Sequence, residues 1–256
     1  MALTPELVPL LVASLAAGFV DSMVGGGGLI MLPTLFATLP RELPTVLLGT
    51  GKIASIFGTT TAVLRYARNV AIAWRFLLPA AALTFASSLA GAHTVTLVPV
   101  EHFRPLVPVF LTVVALYTFL HRDFGERHVP HAITGGRWWL ATGMIVAIGF
   151  YDGFFGPGTG SFFMFMFVRV FGYDFLNAAA SARLLNVAAN GAAIALFASR
   201  VELLWAYGFL MAACNVAGSL VGTRLALRRG AAFVRIVFLV VVAVLIAKTA
   251  WDALKG

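Results

Sequence analysis

Two basic residues stand inside apolar segments, where an unpaired charge could hold an anion. Lys52 lies in the segment 44–64 and Arg183 in the segment 174–198, each about a third of the way along. A basic side chain at membrane depth costs several kcal/mol unless it reaches water, an acid or a bound anion. Each is followed by two hydrogen-bonding residues three and seven places on, Ser55 and Thr59 after Lys52, Asn186 and Asn190 after Arg183. On a helix such spacings make one polar stripe. Snorkelling to the interface is the plainer reading of a lone Lys or Arg, but the duplicated stripe favours a ligand.

Glycine runs supply the second candidate element. Gly25-Gly26-Gly27-Gly28 in one half answers Gly156-Pro157-Gly158-Thr159-Gly160 in the other. Glycine lets a backbone turn tightly and bring its N–H groups close to a ligand. A helix beginning after such a loop carries unsatisfied N–H groups and about half a positive charge at its start. The two helix starts are expected to meet beside Lys52 and Arg183, a composite that favours an anion. Close helix packing through small residues is the competing use of these glycines. Gly27 and Gly158 occupy equivalent places, so the sequence treats them alike. Asp21 and Asp152 are the acids near the loops; capping a short helix, pairing with a basic residue and carrying a coupling proton all stay open for them.

Other chemistries fall away. Gly49-Thr50-Gly51-Lys52-Ile53 has Ile where a phosphate loop needs Ser or Thr for magnesium, and the dinucleotide fingerprint fails at position 30. The five histidines stand at segment ends or in the central polar stretch, without a metal-like spacing, and Cys214 is the only cysteine. No nucleophilic triad or acid pair lies within the apolar segments, so neither an enzyme, a metal site nor a cofactor is expected.

The elements that would hold these residues come in duplicate. Gly18-Phe19-Val20-Asp21 returns 131 residues later as Gly149-Phe150-Tyr151-Asp152, and the same offset aligns Lys52 with Arg183, Trp74 with Trp205, Ser88-Leu89 with Ser219-Leu220 and Gly91 with Gly222. A duplicated, glycine-broken apolar segment points to a transporter's binding site. Composition agrees, since 61% of the chain is hydrophobic and 11% charged, against roughly 45–50% and 25% in soluble domains. The formal charge of +8 forms no basic stripe with interleaved aromatics, so nucleic acid is no partner. It reads instead as loop charge setting membrane topology. The first apolar segment has no basic lead and runs straight into the repeat motif, unlike a removable signal peptide.

The expected fold is an all-α polytopic membrane protein of two inverted repeats, 1–121 and 138–256, joined by a cytoplasmic linker, 122–137. Each repeat has a re-entrant or broken helix at a Gly-rich loop plus three long transmembrane helices. The long pieces are 44–64, 74–93 and 103–121, then 174–198, 204–226 and 233–252. The broken helices run from 5–24 and 138–155 into pieces at 29–39 and 161–171 that are too short to cross. Charge bias sets the orientation. Arg65, Arg68 and Arg75 crowd one loop while its counterpart holds Arg200 beside Glu202; one loop later the bias reverses. Corresponding loops therefore prefer opposite sides, which places both termini in the periplasm.

The duplicated motifs resemble a known family. Gly18 to Ile30 looks like the opening motif of the sulfite exporter TauE/SafE family of membrane permeases, Gly149 to Ser161 its second-half signature, and Ala182-Arg183-Leu184-Leu185-Asn186 its following helix. The similarity is greatest to the YfcA-like branch. Where relatives often have Thr-Asn-Lys this chain has Thr50-Gly51-Lys52, and Arg183 stands where Lys is common. The resemblance implies a secondary transporter of sulfite, sulfonate or related sulfur-containing or organic anions, seated in the bacterial inner membrane. A passive anion channel and a non-transporting scaffold are the alternatives; in the scaffold Lys52 and Arg183 would pair permanently with Asp21 and Asp152. Substrate, direction, a proton as coupling ion and a homodimer stay open.

Overall fold

The structure, a computed structural model, describes residues 7–99 and 135–255. Within them the chain forms α1 (Leu7–Val24), α2 (Gly28–Thr38), α3 (Pro44–Ala67), α4 (Trp74–Thr96), α5 (Gly136–Phe154), α6 (Thr159–Phe171), α7 (Phe175–Arg200) and α8 (Trp205–Lys255). No strand occurs among the described residues. The expected segment 103–121 and nearly all of the linker lie outside them.

Local chemistry explains the boundaries. Pro44 opens α3 at a position where its missing N–H costs nothing. Asp174 caps α7, accepting the Asn177 N–H at 2.7 Å. Gly172, with φ of 71°, ends α6 in the left-handed region, and the N–H groups of Gly172 and Tyr173 return to the carbonyls of Val168 and Phe167. α8 breaks at Gly230, where φ is 75° and ψ is −171°.

Among the described residues, five helices are long and apolar enough to cross a membrane: α1, α3, α4, α7 and the first limb of α8, Trp205–Gly230. α2 and α6, of 11 and 13 residues, span about 17 and 20 Å, well short of the roughly 30 Å hydrocarbon layer. Val12, Leu64, Leu78, Phe209 and Val221 turn outward, as lipid-facing helices require. Trp74, Trp138 and Trp205 stand at helix starts, where amphipathic rings favour the interface.

Packing follows the 131-residue offset. α3 and α7 pack together at the centre; α1 lies on α8 and α5 on α4, while α3 also contacts α8 and α7 contacts α4. α2 folds back on α1, as a re-entrant hairpin must. The interlock extends to single hydrogen bonds. Ser88 Oγ donates to the Ala189 carbonyl at 2.9 Å, and Ser219 Oγ to the Gly58 carbonyl at 2.7 Å, each the other's counterpart under the offset.

Candidate functional site

The centre of the protein is built where α3 and α7 pass the ends of α1 and α5. α3 brings Lys52, Ser55 and Thr59; α7 brings Arg183, Asn186 and Asn190; α1 and α5 deliver Asp21 and Asp152 just before the glycine loops. Each basic residue faces the acid of the other half.

The Lys52 arm is hydrogen-bonded to its acid. Lys52 Nζ donates to Asp152 Oδ1, and Asn190 Oδ1 lies 3.4 Å from the same nitrogen. Thr159 Oγ1 holds the other Asp152 oxygen at 2.6 Å. Both charged groups are buried, at 7% and 3% exposure.

The Arg183 arm is loose. Its side chain is wholly buried, yet Nη1 stands 3.7 Å from Asp21 Oδ2, outside hydrogen-bonding range. Nη2 meets the Met164 sulfur at 3.6 Å, while Nε and Nη1 have no hydrogen-bond partner, nor does Asn186 Oδ1. Asp21 is engaged elsewhere, accepting the Gly27 N–H at 3.4 Å and the Thr59 hydroxyl at 3.3 Å. A guanidinium in this state is costly, and polar groups so placed are rare in protein interiors.

The glycine loops meet, as the sequence leads one to expect. A Cβ on Gly25 would sit 2.5 Å from the Gly160 Cα and the Ser161 nitrogen; one on Gly160 would come 2.6 Å from Arg183 Nη1 and 2.8 Å from Asn186 Nδ2. Only bare backbone fits here. Ser161 Oγ fastens the crossing by donating to the Val24 carbonyl at 2.8 Å.

Beside the crossing lies a cavity of about 60 Å³, walled by Asp21, Gly25, Gly28, Lys52, Ser55, Asp152, Gly156, Gly158, Thr159, Asn186 and Asn190. One water needs about 10–15 Å³ on this measure, so several waters or one small ion fit. Of the residues chosen from sequence, Arg183, Gly26, Gly27, Gly160 and Thr59 do not line it. Thr59 and Gly27 serve Asp21 instead, and Gly160 abuts Arg183. The equivalence of Gly27 and Gly158 does not extend to conformation. Gly158 is left-handed, with φ of 83°, whereas Gly27 is right-handed, with φ of −57°.

Sequence reasoning missed the apolar lining. Met31, Leu32, Leu48 and Phe155 face the same cavity. Leu48 stands one helical turn before Lys52, so the polar stripe extended backwards would have found it.

A helical bundle with lipid-facing apolar sides, two short helices and a buried charged centre is a multi-pass membrane protein of the transporter class. The chain belongs to the family described as Sulfite exporter TauE/SafE, whose model matches residues 10–249. It is 38% identical over 233 residues, 91% of this chain and 87% of the relative, to the probable membrane transporter protein ORF9 of Sinorhizobium sp. Over 240 residues, 94% of this chain and 88% of the relative, it is 34% identical to the probable membrane transporter protein YfcA of Escherichia coli K12. A probable membrane transporter protein of Haemophilus influenzae is 31% identical over 239 residues, 92% of this chain and 91% of the relative. No solved structure matches significantly.

Proposed function

We propose that this protein is a secondary transporter of a small anion, sulfite, sulfonate or a related sulfur-containing or organic anion, working by alternating access in the bacterial inner membrane. It is not an enzyme. Its two repeats are inverted, with both termini periplasmic and the linker cytoplasmic. The observation that carries this reading is Arg183, a fully buried guanidinium whose Nε and Nη1 lack hydrogen-bond partners beside a glycine crossing. Those two nitrogens carry N–H donors on different edges of the planar guanidinium, each able to donate to an oxyanion oxygen. The family's description supplies the substrate class. The exchange of Ser88–Ala189 for Ser219–Gly58 across the offset supports the paired repeats.

The scaffold reading draws on the Lys52–Asp152 pair, which is neutralised as that reading requires. Arg183 argues against it, because a purely structural cation gains nothing from buried, unpaired donors. Counterflow in liposomes against sulfite, sulfonates and carboxylates tests the proposal. Saturable counterflow with at least one of these anions is expected. Uptake without counterflow, indifferent to an imposed proton gradient, would make the protein a channel, and no uptake of any of them would return it to a scaffold.

A further inference from the structure

The two halves of the site differ in access. The cavity at Lys52 runs along the seam between α2 and α3, past Leu32 and Leu48. Leu32 and Leu48 are themselves buried but line the cavity, whereas their equivalents at the other seam, Phe163 and Ala179, do not line it and are wholly buried, as is Arg183. α6 also lies against α7 more extensively than α2 lies against α3. Aromatic rings fill that closed seam. The Phe167 ring centre lies 5.0 Å from that of Phe171 and 5.7 Å from that of Tyr173, and Phe76 reaches Phe171 at 4.8 Å. Under the offset the corresponding residues are Phe36, Pro40 and Glu42, so the repeat does not duplicate that trio of rings. Between cavity and guanidinium stands the crossing itself, since Gly160 touches both Gly25 and Arg183 Nη1.

We infer that the anion passes through two half-sites, the Lys52 half-site open in this structure and the Arg183 half-site closed, and that the α6–α7 seam is the gate that exposes the second as the first closes. This inference rests on the alternating-access reading. Repeats that share a pattern but differ in packing can exchange packings, which converts one accessible face into the other. The unpaired donors of Arg183 give the closed half a reason to open, because a negative oxygen atom or water there satisfies them. The aromatic seal offsets that tendency until the α6–α7 seam parts.

Cysteine accessibility tests the gate without reference to substrate. With Cys214→Ala as background, Ser55→Cys reports the open wall and Ala179→Cys the sealed seam, each labelled by a membrane-impermeant thiol reagent in vesicles of either orientation. Fast labelling at 55 and at least tenfold slower labelling at 179 are expected. Adding Phe163→Ala should raise labelling at 179 and lower it at 55 together, the mark of one equilibrium shifting. Phe163→Leu should act in the same direction more weakly, should the Ala variant fold poorly. Equal labelling at 55 and 179 without the Phe163 change would overturn the inference. So would a rise at 179 with 55 unchanged, which describes a leak, or no response at either position. Reciprocal labelling in a protein that shows no anion counterflow would leave the gate standing and remove the transport reading instead.

Discussion

Lys52 and Arg183 occupy equivalent turns of equivalent helices, and each faces the acid of the opposite half, yet the two pairs are unlike. Asp152 is held by Lys52 and by Thr159, with Asn190 within reach. Asp21 turns toward Gly27 and Thr59 and leaves Arg183 at 3.7 Å. The cause lies in the loops. The first residue of α6 is Thr159, whose hydroxyl reaches Asp152, whereas its equivalent in α2 is Gly28, which has no side chain to offer. Duplication fixes where the charges stand, and single substitutions in the loops decide which of them is hydrogen-bonded to its acid. One cation is hydrogen-bonded to its acid and the other stands 3.7 Å from its own.

The largest effect should come from breaking the hydrogen-bonded pair. Lys52→Met leaves Asp152 buried without its counter-charge and should cost about 3–5 kcal/mol of stability, with Asp152→Asn costing nearly as much. Combining Lys52→Met with Asp152→Asn should recover much of the loss, since the two changes are coupled. Chemical unfolding in detergent measures this. If either single change were no worse than Arg183→Met, the two arms would not differ as described.

Arg183→Met should do the reverse, preserving the fold and removing binding. Losing a charge that pairs with the ligand costs about 2–5 kcal/mol, which is roughly 30- to 5,000-fold in affinity at about 1.4 kcal/mol per decade. Arg183→Lys should restore part of it, because the charge returns without the planar fork. Wild-type affinity in a folded Arg183→Met variant would take the anion away from this arm.

Much of this site could be read from residue order, and the missing parts have definite causes. The offset of 131 and the stripes after Lys52 and Arg183 were legible, because helical spacing maps directly onto one face. The meeting of the glycine loops was legible too, since a segment as short as α2 or α6 must turn back. The crosswise choice of partners, Lys52 with Asp152 and Arg183 with Asp21, was not. An internal repeat shows which residues are equivalent and says nothing of which touch. Leu48 and Met31 looked like any core side chains, because a cavity lining and a packed core share one composition. The handedness at Gly27 and Gly158 was hidden for a simpler reason: glycine accepts either sign of φ.

Hydroxyl deletions sharpen the comparison on a smaller scale. Thr159→Val removes a 2.6 Å bond to a buried carboxylate, from a hydroxyl that also lies 2.8 Å from the Gly156 carbonyl, and should cost about 1.5–3 kcal/mol, the range for hydrogen bonds to charged groups. Thr59→Val removes a 3.3 Å contact from a hydroxyl already bonded to the Ser55 carbonyl at 2.8 Å, and should cost about 0.5–1 kcal/mol. Unfolding midpoints of the two variants decide it. Equal losses would mean that Asp21 depends on Thr59 as strongly as Asp152 depends on Thr159.

The smallest effects should separate the two loops by conformation alone. Gly158 sits at φ of 83°, where a Cβ costs about 1–2 kcal/mol, and Asn bears that conformation better than Ala. Gly158→Asn should therefore be milder than Gly158→Ala. Gly27 has an ordinary φ of −57°, so its constraint is contact: a Cβ there would lie 2.6 Å from both the Ala17 carbonyl oxygen and the Asp21 Cβ. At this position Asn, being larger, should be worse than Ala. Either change should displace Asp21, and with it the looser partner of Arg183, so binding should fall more than stability. The ranking of Ala against Asn should thus reverse between two residues that the repeat makes equivalent. Thermal unfolding of the four variants reads that reversal directly. The same ranking at both positions would mean that the loops share one backbone conformation, and the unequal loading of Asp21 and Asp152 would then have to come from Thr159 alone.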